Sequence, residues 1–148
     1  MYYRTQTYRY ADAVLNGMVG ALKTVPGAAL MVTPHVLLYQ AGPTPGGTNT
    51  VADFTECDFH GYAPATVTLT GPVLLLDGSV AMICSGIFTA TTGGPLNPQG
   101  MKGYILTDGA AAYYGGEDFV GTLAISAVGQ FLQVDVVLPV APRPSVNA

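Results

Sequence analysis

The chain has 148 residues, of which 49% are hydrophobic and only 9% charged, with 19 Gly, 11 Pro and a formal net charge of −4. That length suits a single domain with its own core, and the apolar excess argues against a disordered chain. Five Lys and Arg in total exclude the basic cluster on which phosphate binding rests, so no nucleic-acid partner is expected.

Residues 1 to 10, MYYRTQTYRY, are polar and aromatic, unlike a signal peptide. Tyr2, Tyr3, Arg4, Tyr8, Arg9 and Tyr10 are candidate partner-binding residues on an N-terminal arm, since Tyr and Arg carry much of the energy of protein contacts. The alternative is an ordinary terminus lying on its own domain. From Ala11, Val14, Leu15, Met18, Val19 and Leu22 recur at helical spacing, with Asp12 near the start where a carboxylate suits the helix dipole. One α-helix is expected over 11–24, weakened by Gly17 and Gly20 and ended by Pro26-Gly27. Ala28 to Val32 and His35 to Gln40 read as buried strands, with His35 at the edge of the core. AGPTPGGTNT, residues 41 to 50, is a surface loop of the kind that carries binding residues.

In residues 51 to 62, Asp53, Glu56 and Asp58 fall among Phe54, Phe59 and Tyr62. The aromatics are expected to anchor the segment on an apolar body. The acids, with His60 nearby, have donor types that suit Ca²⁺. They lack the regular ligand alternation and closing bidentate Glu of a calcium loop. The expected role is therefore capping of a short helix, with no metal and no cofactor.

ATVTLT, residues 65 to 70, alternates cleanly, and VLLLDGSVAMIC carries Asp77-Gly78 between apolar runs, a strong hairpin signal. Strands are expected near 65–70, 73–76 and 79–84, followed by the alternating GIFTATT and a second surface loop at 92–100. MKGYILTD and AAAYYGGEDF form a hairpin around Asp108-Gly109. Glu117 and Asp118 are adjacent and so point to opposite faces of a strand. FLQVDVVLPV sets Phe131, Gln133 and Asp135 against Leu132, Val134 and Val136, before a Pro-rich tail at 141–148. Cys57 and Cys84 are too few for a disulfide framework, and sequence leaves their pairing open, although Cys84 in SVAMIC reads as a small buried thiol. The expected fold is all-β, an antiparallel β-sandwich or jelly roll spanning 11–140 with one leading helix.

The string ADFTECDFHGYAP resembles the ADFTEADF-x-GYA signature of a recurrent group of small bacteriophage and environmental-virus proteins encoded among structural genes. The order of HVLLYQ (35 to 40), AGPTPGGTNT and GYILTDG (103 to 109) is similar as well, and the resemblance covers about residues 11 to 140. Cys57, where the signature has a small residue, and the Tyr-rich head depart from it. The resemblance implies a virion component made in the host cytoplasm, and it transfers no catalytic residues.

No nucleophile with a base, carboxylate pair or metal set is apparent in the sequence, so no enzyme is expected. A chain with so few charges loses little ionic solvation when a face is buried. The expected function is a capsid decoration or cement protein, a homo-oligomer bound between major capsid subunits. The alternatives are a tail- or fibre-associated receptor- or glycan-binding module using the loops at 41–50 and 92–100, or a subunit of a repeating tube or filament. No membrane partner is expected, since no apolar run approaches the roughly 18 residues of a spanning helix.

Overall fold

The structure is a computed structural model, and it describes residues 2–3, 9–11, 34–94, 96 and 100–141. Residues 12–24 of the helix expected over 11–24, the strand at 28–32, Arg4, Tyr8 and the tail beyond residue 141 lie outside the described residues; Ala11 donates its amide to the Tyr114 carbonyl at 2.9 Å. What is described is almost entirely β: β1 (Tyr2–Tyr3), β2 (Arg9–Tyr10), β3 (His35–Ala41), β4 (Thr55–Glu56), β5 (Ala65–Thr66), β6 (Thr70–Leu74), β7 (Val80–Thr89), β8 (Met101–Thr107), β9 (Tyr113–Leu123) and β10 (Phe131–Ala141). A single 3₁₀ turn, Val51–Asp53, lies between β3 and β4.

The strands form two sheets packed as a sandwich. The first runs β1-β10-β7-β6, and the second runs β2-β9-β8-β3, with β4 and β5 side by side along the outer edge of β3. Every pairing is antiparallel except β1 with β10. The inner faces follow from the alternation of the strands. In β10, Leu132, Val134, Val136 and Leu138 are buried opposite Phe88, Gly86, Cys84 and Met82 of β7. On β3, Val36 faces this layer, since a side chain at Gly86 would meet it. Leu38 shares that face and Tyr39 takes the opposite one. Tyr10 ties the layers together, its hydroxyl donating to the Pro139 carbonyl across the sandwich at 2.8 Å.

Both expected hairpins form. β6 and β7 are joined by a turn in which Leu75 and Gly78 donate to Ser79 and Leu75 carbonyls and Asp77 accepts from Ser79. β8 and β9 flank residues 108–112, where Asp108 accepts from the amides of Ala110 and Ala112. Two expectations need correction. The strand expected over 65–70 is only Ala65–Thr66, because the chain there leaves the second sheet and enters β6 of the first at Thr70. The runs at 79–84 and 86–92 are one strand, β7, which pairs with β10 along its whole length. β9 ends at Leu123, and residues 124–130 connect it to β10.

Candidate functional site

The acidic, aromatic stretch from Asp53 to Tyr62 lies at the β3 edge of the sandwich, and its side chains reach both sheets. Asp53 closes the 3₁₀ turn by accepting the Thr50 amide at 2.8 Å, the role expected of a capping acid. That bond comes first among the causes that hold its carboxyl below the usual aspartate range. Phe54 is buried, tilted against Tyr39 and stacked on Tyr113. Cys57 donates its amide to Leu38, extending the ladder begun by β4. Beyond it the chain turns away from β3, and the Tyr62 hydroxyl accepts the Leu38 amide at 3.0 Å. It thereby fills the gap in the ladder between β4 and β5. Burial, then the charge of Glu56, holds the Tyr62 phenol far above its ordinary pKa.

The same stretch grips the other sheet. The Tyr62 ring stacks on Phe88 of β7, and Phe59 packs edge-on to Tyr62. Thr91 donates its amide to the His60 carbonyl at 2.9 Å, and His60 Nδ1 lies 2.8 Å from the Thr91 hydroxyl. The motif is thus a clasp between the sheets. Glu56, Asp58 and His60 remain exposed, and among the described residues no three His, Cys, Asp or Glu side chains are placed to hold a metal.

A second polar group lies on the outer face of the β2-β9-β8-β3 sheet. Tyr39 crosses β8 at Gly103 and donates to Asp118 of β9, while Thr44 donates to the other oxygen of the same carboxylate at 2.6 Å. Lys102 donates to the Gly42 carbonyl, and the Tyr113 hydroxyl to the Gly46 carbonyl at 3.0 Å. Residues 42–46 are therefore strapped onto their own domain, with Pro45 buried. Burial pushes the Tyr113 phenol up to about 12. On the inner face, Tyr104 donates to Glu117 at 2.7 Å. Glu117 and Asp118 serve opposite faces, as their adjacency requires. Each carboxylate is spent on positioning a tyrosine.

Of the six residues proposed for the N-terminal arm, Tyr2 and Tyr3 run parallel to Gln133 and Val134, and Arg9 and Tyr10 pair with Gly116 and Gly115. Tyr10 is buried. These segments lie along their own domain, and the backbone of each extends one sheet. Cys57 and Cys84 are buried and are not joined in a disulfide, and burial pushes the Cys84 thiol up to about 12.

The feature that sequence reasoning missed is the outer face of the β1-β10-β7-β6 sheet. Its rows are Ile83, Ser85, Ile87 and Thr89 on β7 and Phe131, Gln133, Asp135 and Val137 on β10. A solvated sheet face ordinarily alternates to polar residues, yet half of these are apolar, with Ile87 60% and Phe131 45% exposed. Asp135 is the one charged residue in these rows, and it accepts from Ser85 at 2.7 Å and from Gln133 at 2.9 Å. Beyond this face, the β6–β7 hairpin carries two further exposed leucines, Leu74 and Leu76; Leu74, opposite Val80, lies on the other side of the sheet from Ile83 and Ile87. The signal was present in the alternation of β10, but the sequence does not say which of its two rows meets the other sheet. No family model, no curated protein and no solved structure matches this chain.

Proposed function

We propose that the protein is a non-enzymatic structural component of a virus particle, a capsid decoration or cement protein that works by burying one face of its sandwich against neighbouring subunits. The observation that supports this most is the outer face of the β1-β10-β7-β6 sheet. It is half apolar and carries a single carboxylate in its two central rows. Such a face costs little desolvation when covered, and exposed apolar patches of this kind mark interaction sites. The ADFTECDFHGYAP motif is consistent with this reading, because its side chains join the two sheets and support a rigid body.

Receptor or glycan recognition stands second. Its loop at 41–50 has Thr44, Asn49 and Thr50 hydrogen-bonded within the domain, which leaves those groups less available to a sugar. The deciding experiment is quantitative mass spectrometry of purified particles of the encoding virus, scaled to the major capsid protein. Copies comparable with the capsid protein are expected. A handful per particle moves the protein to a tail or vertex, and absence overturns the virion reading.

A further inference from the structure

We draw no further inference here: the strongest candidate, the hollow of about 220 Å³ on the outer face of β7 and β10 lined by Leu75, Ile83, Ser85, Asp135 and Val137, belongs to the face already proposed to meet neighbouring subunits, and nothing in the structure shows what covers it.

Discussion

Tyr39 and Asp118, 79 residues apart in the chain, are joined by a hydrogen bond that passes directly over Gly103. The tyrosine leaves β3, lies flat across β8 and reaches the carboxylate on β9. A methyl group built at Gly103 would sit on the phenol, 2.7 Å from Cζ, and against the Glu117 carbonyl. Three strands of one sheet are thus stitched by a single side chain. Thr44, on the strap, shares the same carboxylate.

The missing side chain at Gly103 is therefore a packing requirement. Gly103→Ala should destabilise the fold by about 1–3 kcal/mol, the usual cost of overpacking, measured as a lower urea midpoint with unchanged slope. Tyr39→Phe keeps the ring and removes only the bond to Asp118. It should cost about 1.5–3 kcal/mol, the range for a hydrogen bond to a charged group. An unchanged midpoint for Gly103→Ala would show that Tyr39 does not cross at this position.

Tyr62→Phe leaves the Leu38 amide without the acceptor it has in the gap between β4 and β5. A buried donor left unpaired costs about 1–3 kcal/mol. The loss should be local as well as global, with faster hydrogen exchange at Leu38 than at Val36 or Tyr39. Uniform acceleration along β3 would instead mean that Tyr62 acts only through its ring on Phe88.

Asp53 and Asp108 both have carboxyls held below the ordinary aspartate value of 3.8, each first by a bond from a backbone amide, Thr50 for one and Ala110 for the other. A carboxylate with a lowered folded-state pKa contributes stability that is complete above its unfolded value and is lost as pH falls through the folded one. Thermal unfolding should therefore worsen below about pH 4. Asp53→Asn and Asp108→Asn should lower the melting temperature near neutrality and flatten this acid limb. An acid limb identical in wild type and both variants would remove these two turns as its origin.

Cys57 and Cys84 are 4% and 6% exposed, and the Cys84 thiol is held neutral by burial and then by the charge of Asp135. Attack on a disulfide reagent needs thiolate and access. Native protein at pH 8 should consume almost no Ellman's reagent, and both thiols should react after unfolding. Rapid reaction of one thiol in the folded state would place that cysteine outside the core.

Local order was legible in the residues themselves. The period-two alternation of Leu132, Val134 and Val136, the Asp77-Gly78 and Asp108-Gly109 turns, and the opposite facing of Glu117 and Asp118 are properties of a few neighbouring residues, set by strand geometry and turn chemistry. They were enough for an all-β sandwich. The anchoring of Phe54 and Phe59 and the capping by Asp53 were legible for the same reason. The extent of β7 and the early end of β5 were not, because a strand continues only where a partner strand supplies hydrogen bonds.

Tertiary structure alone decided what the motif is for and which surface is left over. Tyr62 meets Leu38 and Phe88 only once β3 and β7 face each other, and Thr44 meets Asp118 only once β8 lies between β3 and β9. Such pairings depend on register between segments far apart in sequence, where a slip of one residue exchanges the two faces of a strand. The same holds for the apolar outer rows of β7 and β10. Alternation separates two rows, and only the packing of the second sheet determines which row is buried and which stays exposed.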